Sequence, residues 1–230
     1  MTLPAVAIGL AVAGGAAHGA FHRNSPVFGA ALSELPGTAS NVALTFDDGP
    51  NPEATPRILD ELDSHGVKAT FFVLGSHAER WPELVERVVR EGHQVGNHGF
   101  FHRKLHFRSP SYVRRDIQLG TEAIQNACGE APRLFRAPHG FRSPWVNSIA
   151  RSFGQRTVGW SLGVWDSDRP GVEAIVEKTV SGARRGSIIL LHDGDGYDAA
   201  GDRTQTAAAL PGIIIRLRER GFGFDTLPVA

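Results

Sequence analysis

At 230 residues the chain fits one domain with room for a full core and no need of covalent staples. Its 24 basic and 24 acidic side chains balance, which excludes the charge excess of a nucleic-acid surface or a polybasic membrane patch. The lone cysteine, Cys128, excludes an internal disulfide and any cysteine-based zinc cluster, and its place in an expected helix points to a structural role.

From Leu3 to Ala20 there is no charged side chain, and Ala, Gly, Val, Leu and Ile make up most of the stretch. That length is near the lower limit for spanning a bilayer, but the basic leader of a secretory signal is missing. Residues 1–30 therefore read as an export signal or membrane anchor, which would place the protein at the cell envelope. An apolar arm lying on the domain is the alternative. Residues 31–40, with Pro36, Gly37 and Ser40, read as a linker into a domain that occupies 41–230.

Asn41 to Phe46 reads as a short apolar strand that stops abruptly in Asp47-Asp48-Gly49-Pro50. Turn chemistry alone accounts for such a tetrapeptide. Two adjacent carboxylates in a partly enclosed site, however, raise one another's pKa unless a positive charge sits nearby. A first helix runs from Asn51 to Gly66, with Thr55 at the N-cap and Pro56 at the first helical position. Ala69 to Leu74 is a second buried strand. Ser76 and Glu79 have capping-box spacing, and Leu84, Val85, Val88 and Val89 give one helical face ending at Gly92.

Gln94 to Asn97 reads as a third strand, Ser111 to Cys128 as a helix, Arg133 to Arg136 as a fourth strand and Pro144 to Phe153 as a helix. Arg156 to Trp160 is the fifth strand, Val172 to Val180 a helix, Ser187 to Leu191 the sixth strand, Leu210 to Arg220 the final helix and Phe222 to Leu227 the last strand. Seven strands alternating with helices predict an α/β fold with a parallel sheet. At this length a closed or nearly closed single-domain barrel is the natural form, a (β/α)7 distorted TIM-like barrel.

In such a barrel the chemistry gathers at the carboxyl ends of the strands. The first strand delivers Asp47 and Asp48 there; the third, Asn97, His98 and His102; the fourth, Arg136, Pro138 and His139; the fifth, Trp165, Asp166 and Asp168; the sixth, His192 and Asp193. Turns require neither His nor Arg. His98 and His102 stand four apart, so two imidazoles can face one way, and with one carboxylate they form a set that holds a divalent ion and leaves a position for water.

Taken in order, Thr45-Phe46-Asp47-Asp48-Gly49-Pro50, His98xxxHis102, Arg136-Ala137-Pro138-His139-Gly140, Trp160 through Asp166, and Leu190-Leu191-His192 resemble the five motifs of the polysaccharide deacetylase family, also called the NodB-homology domain or carbohydrate esterase family 4. The resemblance covers about residues 41 to 228. It implies a hydrolase removing N-acetyl groups from an amino-sugar polymer or oligomer of peptidoglycan or chitin type. Asp48, His98 and His102 would bind a divalent metal, zinc first and cobalt or a similar ion otherwise. Asp47 would be the general base, held by Arg136, and His192 the acid that protonates the departing amine. Asp166 would pair with Arg136 or with His192. Pro138, His139, Leu190, Trp160 and Trp165 would face the substrate, with a backbone N–H near His139 stabilising the oxyanion.

The sequence departs from the family pattern twice. His139 stands where the third motif usually has an aromatic, and would contact substrate, add a metal contact or fill space. Ser167 stands where a Trp usually follows the Asp of the fourth motif, leaving Trp160 or Trp165 to wall the acetyl pocket. Hydrolysis of another non-peptide C–N bond, cyclic amide or ureide, therefore stays open, as does a non-catalytic glycan-binding domain. The implied partner is an N-acetylated glycan rather than a nucleic acid, bound by a monomer, with membrane association through residues 3–20. His65, His77, His93 and His106 read as surface groups, and Tyr197 to Arg203 as a lid beside the site.

Overall fold

The computed structural model describes residues 13–37 and 39–229. Its strands are β1 (Asn41–Asp47), β2 (Thr70–Val73), β3 (Gln94–Asn97), β4 (Leu134–Phe135), β5 (Arg156–Thr157), β6 (Leu162–Gly163), β7 (Ile188–His192) and β8 (Gly223–Phe224). They form one sheet in the order β5-β4-β3-β2-β1-β7-β6, every pair parallel, with β8 on the first two residues of β1. Its helices are α1 (Ala54–Ser64), α2 (Gly75–Arg80), α3 (Pro82–Arg90), α4 (Pro110–Cys128), α5 (Val146–Ser152), α6 (Val172–Gly182) and α7 (Thr204–Glu219).

The period of two along β1 sorts the site from the core. Val42, Leu44 and Phe46 join the large apolar cluster beneath the helices, whereas Ala43 joins the inner cluster with Phe72, Leu134 and Ile188. Thr45 and Asp47 share the inner face with Ala43. β7 alternates likewise, Ile189 and Leu191 going to the helices, so Ile188, Leu190 and His192 face inward. Register then sets Asp47 beside His192 at the carboxyl end of the sheet.

The seven strands of a closed or nearly closed barrel become eight short ones in an open half-barrel. The expected fifth strand stops at Thr157, because Leu32 pairs with Val158, accepting from Gly159 N at 2.8 Å and donating to Thr157 O at 2.9 Å. Leu162 and Gly163 form the unforeseen strand, pairing with Ile189 and Leu190. The flanks β5 and β6 are two residues each, too short for a full ladder. Glu34 bridges Ser187, so the stretch read as a linker lies against the chain just past β5 and just ahead of β7.

Three helices differ from expectation. α1 begins at Ala54, and Thr55 is a buried residue of its first turn instead of a cap. The helix expected across Ser76 to Gly92 is two, because Pro82 opens α3 and excludes Trp81 from the helical region (φ −136°, ψ 61°). Ser76 lies inside α2, whose cap position is Leu74. α7 starts six residues early, since Thr206, Ala207 and Ala209 bury small side chains that give little apolar signal. α4 is capped as its sequence demands, Ser109 Oγ accepting from Tyr112 N.

Residues 13–21 are helical, and no helix among the described residues is long and apolar enough to cross a membrane. Most of the Leu3 to Ala20 stretch lies outside the described residues.

Candidate active site

Of the twelve residues singled out from the sequence, all but Arg136, Asp166 and Pro138 line one cavity of about 630 Å³ at the carboxyl end of the sheet. Arg136 and Asp166 stand behind it, each holding a residue that does line it. Pro138, expected to face the substrate, does not line the cavity. It is buried in the 3-10 turn Pro138–Gly140, where it starts the turn that presents His139.

Asp48, His98 and His102 converge at the cavity floor. Asp48 Oδ1 lies 3.2 Å from His98 Nε2 and 3.1 Å from His102 Nε2, yet it is a buried oxygen with no hydrogen-bond partner. His98 Nδ1 is 2.9 Å from the Arg136 carbonyl oxygen, which can only accept. The ring proton of neutral His98 therefore sits on Nδ1, and a lone pair on Nε2 points at the carboxylate. Lone pairs facing one another across 3 Å in a buried site call for a cation between them. One carboxylate and two imidazoles are a donor set that suits it. Burial pushes the Asp48 carboxyl up, and the two imidazoles outweigh it, holding the carboxyl well below its usual range.

Asp48 and three other residues of the cavity lining adopt left-handed backbone conformations: φ is 74° at Asp48, 50° at His102, 59° at His139 and 61° at Trp165. His77 supports the first of these. It is buried, and its Nδ1–H donates to the Asp48 carbonyl at 2.8 Å. A surface reading of His77 is thus wrong, as it is for His93, which is buried with Nδ1 accepting from Ala69 N at 3.2 Å. Both signals were long-range and invisible to local pattern.

Asp47 Oδ1 accepts from Arg136 Nη1 at 2.6 Å, while its Oδ2 faces His98 Nε2 at 3.7 Å. Arg136 is fully buried, its guanidinium 4.0 Å over the Phe72 ring, and it also donates to Thr45 Oγ1 and Gly159 O at 2.9 Å each. Burial lowers its pKa and the Asp47 charge opposes that. Across the cavity, His192 Nδ1 is 2.9 Å from Asp166 Oδ1, and Asp166 Oδ2 accepts from His192 N and Thr206 Oγ1, both at 2.8 Å. Asp166 therefore pairs with His192 and not with Arg136. Burial works against the imidazolium of His192, but Asp166 and then Asp48 and Asp47 carry its pKa up to about 9. Nδ1 being spent on Asp166, Nε2 is the atom free to deliver a proton.

His139 is outside the ligand group. Its Nε2 is 3.0 Å from Tyr197 Oη and its ring lies 4.6 Å from that of His102. Burial, then His102, push its pKa down to about 4, so it is neutral at pH 7. Trp165 and Ser167 both line the cavity, Trp165 with 64% of its surface exposed. The segment read as a lid is tied at its base: Arg203 donates to Gly194 O at 2.7 Å and Asp195 Oδ2 at 2.9 Å. Gly196 passes so close to His102 that a Cβ there would sit 1.8 Å from Nδ1. Asp193, delivered to the rim by the same strand as His192, is buried, with Thr55 Oγ1 donating to its Oδ2 at 2.6 Å. Burial pushes its carboxyl up to about 7, against the pull of that hydroxyl.

Residues 35–158 match the family model described as Polysaccharide deacetylase. The chitooligosaccharide deacetylase of Sinorhizobium fredii is 44% identical over 196 residues, covering 83% of this chain and 91% of that protein. A peptidoglycan-N-acetylglucosamine deacetylase of Bacillus cereus is 40% identical over 199 residues, 84% of this chain and 89% of that one. A peptidoglycan N-acetylglucosamine deacetylase solved in complex with 4-naphthalen-1-yl-N-oxidanyl-benzamide superposes with a TM-score of 0.80 at 36% identity, over 86% of this chain and 90% of that one. The motif order, the half-barrel that presents it and this degree of likeness have one explanation: the chain belongs to the polysaccharide deacetylase family.

Proposed function

We propose that this deacetylase releases acetate from N-acetylglucosamine units of a chitin- or peptidoglycan-type glycan, using a zinc ion held by Asp48, His98 and His102. The relatives' substrates and the cavity chemistry support that reading, and one observation carries it. A partnerless Asp48 Oδ1 stands 3.1 and 3.2 Å from two imidazole nitrogens, on the same cavity as Asp47 and His192.

A bound divalent ion there supplies Lewis-acid polarisation of the amide oxygen and brings the pKa of water toward neutrality. The chain's own groups do the proton work. Asp47, with Oδ1 fixed by Arg136, takes a proton from the attacking water on Oδ2 as the new C–O bond forms. His192, protonated through its pair with Asp166, gives the Nε2 proton to the amide nitrogen as the C–N bond breaks. The products are acetic acid, which ionises to acetate, and the amine; Asp47 then releases the proton it took and His192 takes one up, so both residues return to their starting states. Leu190, beside the cavity floor, supplies the apolar contact for the acetyl methyl.

Acetate release from N-acetylglucosamine oligomers, measured before chelation, after chelation and after adding zinc back, tests the proposal. Activity should vanish and return, and Asp47→Asn should stay inactive throughout. Hydrolysis that ignores chelation would overturn it.

A further inference from the structure

The family match begins at residue 35, yet one wall of the cavity is built upstream of it, by Phe21, His22 and Arg23. That wall is firmly held. Arg142, 1% exposed, donates from Nη2 to Ser25 O and from Nη1 to Gly29 O at 2.9 Å, and its backbone N–H donates to Ala20 O at 3.2 Å. Asn24 Nδ2 and Arg23 Nε donate to the Trp160 carbonyl at 2.9 and 3.1 Å. Gly140 leaves room for it, since a Cβ there would lie 2.7 Å from the Trp160 ring and 2.8 Å from Arg23 Cβ.

What the wall presents is unlike the polar floor. Phe21, 51% exposed, stands edge-on to Phe141 at 5.7 Å and to Phe107 at 6.0 Å, and Phe107 is 79% exposed. The Arg23 guanidinium lies 5.1 Å over Trp160, and its two terminal nitrogens make no hydrogen bond to a described residue. Exposed aromatic surface beside free, directional donors matches the two surfaces of a pyranose, its apolar C–H face and its hydroxyl edge.

We propose that Phe21, Phe141 and Arg23 form a subsite for a second sugar ring, the one adjoining the residue whose amide is cleaved. The inference rests on the deacetylase reading of the neighbouring site. Residues ahead of the family domain then decide how strongly longer glycans are preferred over short ones.

The test compares kcat/KM for the tetrasaccharide and the monosaccharide of N-acetylglucosamine, which has no adjoining ring, in wild type, Phe21→Leu and Arg23→Gln. Phe21→Leu keeps apolar contact but loses the ring face, so it remains a test if Arg23→Gln fails to fold. Each variant should lower the tetrasaccharide-to-monosaccharide ratio about 5- to 10-fold. Equal losses on both substrates, or none, would overturn the proposal. If wild type releases acetate from neither, the deacetylase reading fails by itself, and calorimetric titration of the tetrasaccharide then decides the subsite. Weaker binding by Phe21→Leu supports it; equal affinity, or binding by neither protein, refutes it.

Discussion

Replacing Asp166 by Asn changes one charge and almost no volume, and the local hydrogen bonds dictate the outcome. The carboxylate accepts three donors: His192 Nδ1–H, His192 backbone N–H and Thr206 Oγ1–H. An amide offers only one acceptor oxygen. The Thr206 hydroxyl can rotate to accept, but the backbone N–H cannot, so the amide oxygen stays with it and the NH2 group turns toward Nδ1. Neutral His192 must then carry its proton on Nε2, the tautomer that is a very weak acid. Without the Asp166 charge, burial acts on the imidazolium with only the lesser pull of Asp48 and Asp47 against it, and its pKa falls well below about 9. The population at pH 7 that carries the catalytic proton therefore shrinks, and kcat should fall about 100-fold. The assay is acetate release across pH 5.5 to 9.5 on a short N-acetylglucosamine oligomer. The alkaline limb should move acidward by about 2 pH units. A dication held by Asp48, His98 and His102 would lower that limb in wild type and variant alike, so the difference between the two is diagnostic. An unmoved limb with kcat preserved would refute the assignment of His192 as the acid.

Arg136→Met should destabilise the fold by about 3–5 kcal/mol in urea denaturation, because it leaves the Asp47 carboxylate buried without a countercharge. A loss under about 1 kcal/mol would contradict that account. His77→Phe keeps a ring against Trp81 but orphans the Asp48 carbonyl, and should weaken zinc binding about 10-fold in a chelator competition without altering the circular dichroism. Unchanged affinity would show that the Asp48 backbone needs no such support. Gly196→Ala should weaken zinc binding at least as much, since the added methyl meets the His102 ring; an unaffected affinity would mean the loop yields freely.

Most of the half-barrel was legible because each strand is a dense apolar run closed by polar punctuation, and alternation with helices leaves few topologies. The metal group and Asp47 were legible for a related reason. They sit at strand ends, where a carboxylate or an imidazole breaks the apolar pattern. What escaped depends on contacts distant in sequence. Nothing local tells that Thr206 donates to a carboxylate 40 positions upstream, or that Asp166 turns to His192 and not to Arg136. The break at Trp81 was readable from Pro82 but was hidden by a continuous apolar face on both sides. The wall at residues 21–23 lay in a stretch whose lack of charge pointed to a membrane, while the partners that seat it, Arg142 and Trp160, come more than 100 residues later.

The left-handed backbone at Asp48 and His102 sets evolvability against robustness. Each side chain there holds a conformation that glycine adopts without penalty, at a cost of about 1 kcal/mol. A library selected for heat resistance alone would drift toward glycine at both positions and return hardier proteins emptied of their ion. Directed evolution of this scaffold therefore has to couple every thermal challenge to a turnover screen.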